Sequence, residues 1–326
     1  MRLATYRTVE NEEKIGVVDS HGHFVLDLAH AAEAFGKPQR AFGSMVSLIE
    51  AGPALLDLAR ELEARYGGKE HSTTLAHVTL LAPLPVPPQI RDFSVFPLHV
   101  RNAPGGMRRI VARRNGDEAA AKAVTGDPDV PQAYKDRPIY YISNRFSVVG
   151  PDATVTWPRY SQVMDFELEF AAIIGARGVN ISKQNAPNHI FGYTIFNDFS
   201  ARDRQLDEMA GRLGPTKGKS FDMGNALGPW IVTADEISHP YGLTSSVRVN
   251  GETWTTSSSA EMLHSFEDMI AYVSEDETLH PGEVFGSGTM NNGCGLEIDR
   301  YLSDGDVVEL EVEKIGVLRN KVLRQR

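Results

Sequence analysis

The stretch Asp165-Phe166-Glu167-Leu168-Glu169-Phe170-Ala171-Ala172-Ile173-Ile174-Gly175 sets two glutamates two residues apart at the head of an apolar run. Aromatic and β-branched residues recur along it, so a strand over residues 166–174 is expected. On a strand, residues i and i+2 share a face, and both carboxylates therefore point the same way. Two anions held side by side in a poorly solvated place repel each other, and a cation relieves them. A hard divalent ion suits such oxygen ligands: Mg²⁺ or Ca²⁺, with Mn²⁺ as a further candidate. The same alternation also fits a strand with a solvated outer face.

Downstream, Phe-Gly-Tyr-Thr-Ile-Phe-Asn-Asp-Phe over 191–199 is a second apolar run with a single acid, Asp198, which reads either as a third ligand or as a helix-start carboxylate. A helix is expected from Ser200, where Ser-Ala-Arg-Asp resembles a capping box with Asp in place of Glu or Gln. Within it, Arg202 and Gln205 are three apart and face the same way, towards whatever Asp198 addresses. Further strands are expected at 148–149, 154–156, 230–232, 246–249 and 307–312, and a second helix over 261–274. Upstream, Ala82-Pro83-Leu84-Pro85-Val86-Pro87-Pro88 can neither sustain a helix nor donate to a central strand, which makes it the expected linker. Before it, short strands at 3–6, 16–18 and 24–28 lead into helices over 29–35 and 44–66. The expected organisation is a small N-terminal α/β domain over 1–85 and a strand-dominated domain over 86–326, of α+β class.

Composition narrows the function. A net charge of −10 over 326 residues, with no Lys/Arg stripe, argues against nucleic acid and anionic membrane partners. Cys294 is the sole cysteine, so internal disulfides, thiolate zinc cages and CxxC redox pairs are excluded. No apolar run approaches the roughly eighteen residues of a membrane span, and the cytoplasm is the expected compartment. The stretch Gly214-Pro215-Thr216-Lys217-Gly218-Lys219-Ser220 resembles a P-loop, but three residues separate its glycines where the motif needs four. Gly293-Cys294-Gly295 is too short for a dinucleotide fingerprint.

Taken in order, FELEFAAIIG, NDFSARDRQ, GKSFD, GSGT and the late GLE resemble the fumarylacetoacetate hydrolase family from Pro83 to the C-terminus. The resemblance implies a mixed β-roll catalytic domain, often behind a smaller N-terminal domain, and a homodimer. By position it implies that Asp92, Glu167, Glu169 and Asp198 hold a divalent ion. His99, in DFSVFPLH, matches the water-activating histidine, and Glu297 matches the acid that orients it. Arg202, Gln205 and Lys219 match groups around the developing oxyanion. Thr289, Arg108 and Tyr141 match substrate contacts. Ser94 and Met209 stand where the family's tyrosine-degrading member has substrate-gripping tyrosines, which separates the chemistry from that particular substrate.

These residue types suit cleavage of a carbon–carbon bond in a small diketo acid such as an acylpyruvate. A base activates water, a metal chelates keto and enolate oxygens, and cationic or amide groups hold the charge that appears at the attacked carbonyl. The alternatives are a hydratase, isomerase or decarboxylase of a 2-oxo acid on the same scaffold, and a non-catalytic metal- or metabolite-binding protein. The joint presence of His99 and Glu297 favours hydrolysis.

Overall fold

The computed structural model describes residues 1–325. Twelve strands form one mixed sheet, and its centre is the antiparallel set Asn225–Thr233, Ile190–Asp198 and Leu168–Ile174. Beyond Leu168–Ile174 the sheet continues through Val284–Gly286, Ile90–Phe93 and Tyr140–Ile142. A second sheet of five strands runs Glu252–Ser258, Thr244–Val249, Val307–Val312, Gly316–Arg324 and Thr154–Trp157. This is the expected α+β, β-rich architecture.

The central strand is buried on both faces, which explains its nearly continuous apolar sequence. Phe170, Ala172 and Ile174 pack in a core with Val247, Leu310, Val312 and Leu318 of the second sheet. Ala171 and Ile173 take the other face, against Leu48, Ile49 and Leu62 of the N-terminal helices. Glu167 and Glu169 are 4% and 0% exposed, so the solvated-face reading does not hold. The regular strand begins at Leu168, later than expected. Glu167 precedes it, its N–H donating to the Asn197 side chain and its backbone making a lone bridge to Cys294.

The N-terminal strands join the large sheet directly: Arg2–Arg7 pairs antiparallel with Asn225–Thr233, matching Leu3 with Ile231. Residues 81–89 are without helix or strand, as the proline run predicts, yet sheet and core are continuous across the expected boundary. The helix expected over 44–66 is two helices, Met45–Ala51 and Pro53–Tyr66, because Pro53 has no N–H to continue the first and is suited to open the second. The helix near Ser200 spans Arg202–Met209 without a side-chain cap. Asp203 instead accepts from the Ser161 hydroxyl and the Gln162 N–H. The helix expected over 261–274 is Phe266–Val273, because Ser265 and Asp268 form a capping box at that point.

One element went unforeseen. Pro97–Arg114 is an 18-residue helix with Pro104 inside it. Pro104-Gly105-Gly106 hides its period, yet Gly106 serves packing: a Cβ there would lie 2.3 Å from Leu296 O, on the short helix Gly295–Ile298.

Candidate active site

Asp92, Glu167, Glu169 and Asp198 come from three strands of the large sheet and the residue just ahead of one of them: Ile190–Asp198 and Leu168–Ile174 are neighbours, and Ile90–Phe93 is reached across Val284–Gly286. All four are buried, and each offers a ligand oxygen within 4.8 Å of the others. Asp92 is carried in by the pairing of Ile90–Phe93 with Val284–Gly286, directly opposite Gly286. Only glycine fits there, since a Cβ at 286 would approach Asp92 Oδ1 to 2.7 Å and the Phe196 ring to 2.9 Å.

The cluster fits a hard divalent cation. Its donors are all carboxylate oxygens, and Asp92 Oδ1, Glu169 Oε1 and Asp198 Oδ1 are buried with no hydrogen-bond partner. Burial, then the Asp198 charge, pushes the Asp92 carboxyl well above the usual range, and burial with Asp92 does the same to Glu169. Asp198 is raised by burial against the opposing pull of Lys219. Glu167 goes the other way: burial would raise it, but Lys219, Arg202 and His99 together hold it below its ordinary value. Lys219 Nζ lies 2.5 Å from Glu167 Oε2 and also bonds Asp198 Oδ2. Burial works to lower its pKa, but these two acids outweigh that and keep it cationic. Tyr141 donates its hydroxyl to Asp198 Oδ2 at 2.5 Å.

Beside the cluster, His99 stands on the first turn of Pro97–Arg114 with Nδ1 3.0 Å from Glu297 Oε2. Glu297 Oε1 accepts from the Asn292 N–H at 2.9 Å, which fixes the carboxylate. With Nδ1–H donating to Glu297, the imidazole lone pair is on Nε2. Cys294 lies close by, its Sγ 3.3 Å from Glu297 Oε2, and burial pushes its thiol well up, so it remains neutral. His99, Cys294 and Glu297 have the spacing of a metal group, but they are engaged with one another.

A cavity of about 700 Å³ joins these parts. Asp92, Glu167, Glu169, His99, Arg202, Gln205, Lys219, Tyr141 and Thr289 all line it, with Ser94 and Met209. Thr289 Oγ1 is buried and unpartnered, as a waiting substrate contact would be. Arg108 does not line the cavity. It is half exposed and turned to Asp127 Oδ1 at 2.8 Å and Thr125 O at 2.9 Å, because its helical position faces away from the site. Its neighbour Arg109 does reach inward, donating to Leu296 O at 2.7 Å and so holding the helix that carries Glu297.

Sequence reasoning quoted Asp165 but gave it no role. Fully buried, it accepts from Arg202 Nε at 2.7 Å, Gly295 N at 2.8 Å and Leu296 N at 3.0 Å, tying three segments of the site together. Arg202 in turn donates to Gln205 Oε1 at 3.0 Å, and its Nη2 lies 2.8 Å from Glu167 Oε1 as an ion pair without hydrogen-bond alignment. Asn291 is a second omission: its Oδ1 accepts from the N–H groups of Leu98 and His99, satisfying the open end of the His99 helix. Neither role can be read from local sequence: Asp165 binds partners 37, 130 and 131 residues away, and Asn291 a partner 193 away.

Comparison with known proteins bears on this geometry. Residues 109–323 match the family described as fumarylacetoacetate (FAA) hydrolase, C-terminal. The chain belongs to the fumarylacetoacetate hydrolase family. It is 30% identical over 325 residues to a Xenopus laevis protein named oxaloacetate tautomerase fahd2, mitochondrial, covering 99% of this chain and 90% of that one. Among solved structures of the family, a fumarylacetoacetate hydrolase from Exiguobacterium antarcticum covers both chains fully at 27% identity and TM-score 0.72. A maleylpyruvate hydrolase from Sphingobium sp. SYK-6, solved with manganese(II) and pyruvate, has TM-score 0.72 at 22% identity, which shows a shared fold alone. Among the described residues no helix is long and apolar enough to cross a membrane.

Proposed function

We propose that this chain is a divalent-metal-dependent hydrolase of 2,4-dioxo acids, cleaving the C3–C4 bond of an acylpyruvate-like substrate. The observation that carries the reading is His99, paired to Glu297, lining the same cavity as Asp92, Glu167 and Glu169 of the four-carboxylate cluster. A bound divalent ion would act as Lewis acid and template for the substrate's keto and enolate oxygens. Asp92, Glu167, Glu169 and Asp198 are the residues that would hold it.

The chain's own groups then have distinct tasks. His99 Nε2 takes a proton from water, with Glu297 keeping Nδ1 protonated and the ring oriented. The hydroxyl adds to the C4 carbonyl carbon, and Lys219 and Gln205 donate to the oxyanion that develops. The C3–C4 bond breaks with its electron pair passing to the enolate of pyruvate, and imidazolium returns the proton at C3. Thr289 supplies its unpartnered hydroxyl to the substrate end nearest the carboxylates, and Tyr141, its proton held by Asp198, presents only its oxygen there. Arg202, held by Asp165, sets the position of Gln205 and Glu167. A homodimer is the accompanying assembly. The compartment is reducing, in keeping with one buried thiol; the relatives named mitochondrial widen the cytoplasmic expectation.

A second reading is keto–enol tautomerisation of a 2-oxo acid. It is favoured by relatives such as the rat protein named oxaloacetate tautomerase Fahd2a, mitochondrial, 31% identical over 326 residues and covering 92% of that protein. One assay separates the two. Purified protein with Mg²⁺, Mn²⁺ or Ca²⁺ is given acylpyruvates and, separately, enol-oxaloacetate, while pyruvate release and loss of enol absorbance are followed. Hydrolysis predicts pyruvate and a carboxylic acid in equal amounts, abolished by EDTA. His99→Asn should lower this roughly 10²–10⁴-fold while leaving the metal-induced rise in melting temperature intact, and Glu169→Gln should remove both. Enol loss without cleavage of any acylpyruvate rejects hydrolysis in favour of tautomerisation.

A further inference from the structure

The cavity's lining is segregated by chemistry, and two helices produce the segregation. On Arg202–Met209 the residues facing the cavity are Arg202, Gln205, Leu206 and Met209, the spacing of one helix face. That face is polar at the carboxylate end and apolar beyond it. Pro97–Arg114 repeats the pattern: His99 opens it, and Val100, Ala103 and Met107 continue it. Ile139 belongs to the same outer wall.

No free cation reaches that wall. Among the described residues the only Lys and Arg side chains lining the cavity are Lys219 and Arg202, 4% and 1% exposed, and both are engaged at the inner end. Lys219 is held by Glu167 and Asp198, and Arg202 by Asp165 and Gln205. The first helix carries arginines, but they are bound elsewhere: Arg101 to Asp127 O, Arg108 to Asp127 and Arg109 to Leu296 O. The tyrosines that line the cavity bring no charge there: Tyr141 donates to Asp198, the Tyr140 hydroxyl accepts from Arg91, and burial keeps the Tyr134 phenol neutral. A carboxylate placed against this wall would be desolvated without a cationic partner, whereas an alkyl or aryl group would gain from burial.

We infer that the site selects 2-oxo and 2,4-dioxo acids whose tail beyond the chelating oxygens is uncharged and apolar, and discriminates against those ending in a second carboxylate. The inference rests on the reaction reading only for the identity of the head group, a 2-oxo acid. The two-helix wall sets the tail. A volume of about 700 Å³ leaves a short acid such as oxaloacetate without contact along most of that wall.

Binding to the metal-loaded protein tests this without requiring turnover. With Mg²⁺ or Mn²⁺ present, 2-oxobutanoate, 2-oxooctanoate and 2-oxooctanedioate are titrated by calorimetry. 2-Oxooctanoate should bind at least about tenfold tighter than either of the others, each buried methylene contributing roughly fourfold. Leu206→Arg should reverse the order of the two eight-carbon acids; if that variant does not fold, Met209→Arg, at a half-exposed position, makes the same test. Equal or tighter binding of the diacid by the unaltered protein overturns the inference, as does a failure of every 2-oxo acid to bind. The two readings fail separately. Absence of C–C cleavage with the binding order intact removes the reaction and leaves the specificity, while cleavage with a preference for diacids does the opposite.

Discussion

Asp165 shows how one buried charge can organise a site without touching substrate. It satisfies the first two N–H groups of the short helix bearing Glu297 and fixes the guanidinium that positions Gln205 and Glu167. An isolated carboxylate at 0% exposure would be costly; burial raises the Asp165 carboxyl on balance, but a buried cation and three backbone donors offset part of that cost. Asp165→Asn keeps the shape and removes the charge, leaving Arg202 buried with one anionic partner fewer. We expect a loss of about 3 kcal/mol in stability and a fall in kcat larger than any change in KM. Chemical denaturation and steady-state kinetics check these; an unchanged kcat in a destabilised but folded variant would reduce Asp165 to a purely structural residue.

At the scale of elements, the His99 helix and the Glu297 helix must approach closely for their side chains to meet at 3.0 Å. Gly106 permits that approach, since an added Cβ would meet Leu296 O at 2.3 Å and Leu296 Cγ at 2.4 Å. Gly106→Ala should therefore push the helices apart. It should cost about 1–3 kcal/mol in stability and, because a displacement near 1 Å is enough, lower turnover on the order of 10²-fold. Melting and kcat together test it; normal activity would mean that backbone movement elsewhere absorbs the methyl group.

The same pair of helices marks the limit of what could be read from the chain. The i, i+2 spacing of Glu167 and Glu169 gives their shared direction, while their burial, and that of Asp198, is decided by the layers packed on both faces of the sheet. The helix over Pro97–Arg114 does not follow from local pattern, because Pro104, Gly105 and Gly106 oppose helix propensity and are retained by tertiary contacts. Without that helix's phase, the sequence cannot show that Arg108, expected at the substrate, turns instead to Asp127.

For the molecule as a whole, the large sheet unites the N-terminal segment with the rest. Leu3 pairs with Ile231, and the apolar face of Leu227, Ile231 and Ile173 is covered by residues from the first 85. A fragment of residues 86–326 would expose that face and leave the Ile231–Val232 end of Asn225–Thr233 as an unpaired edge. We expect it to aggregate on expression, in contrast to the full chain under the same conditions, with size-exclusion chromatography as the readout. A monodisperse, active fragment would show that the first 85 residues are dispensable for the core. Such pairings link positions far apart in sequence, and nothing near either strand announces its partner.

That long-range pairing also sets a timetable for synthesis. The first strand leaves the ribosome about 230 residues before the strand it must join, a wait of roughly ten to fifty seconds at ordinary elongation rates. Throughout that interval the Arg2–Leu3 end of one backbone edge is open to any other nascent strand, Thr79–Leu80 covering only the Tyr6–Arg7 end, so the molecule's yield in a cell should depend on chaperone capacity more than its final stability suggests.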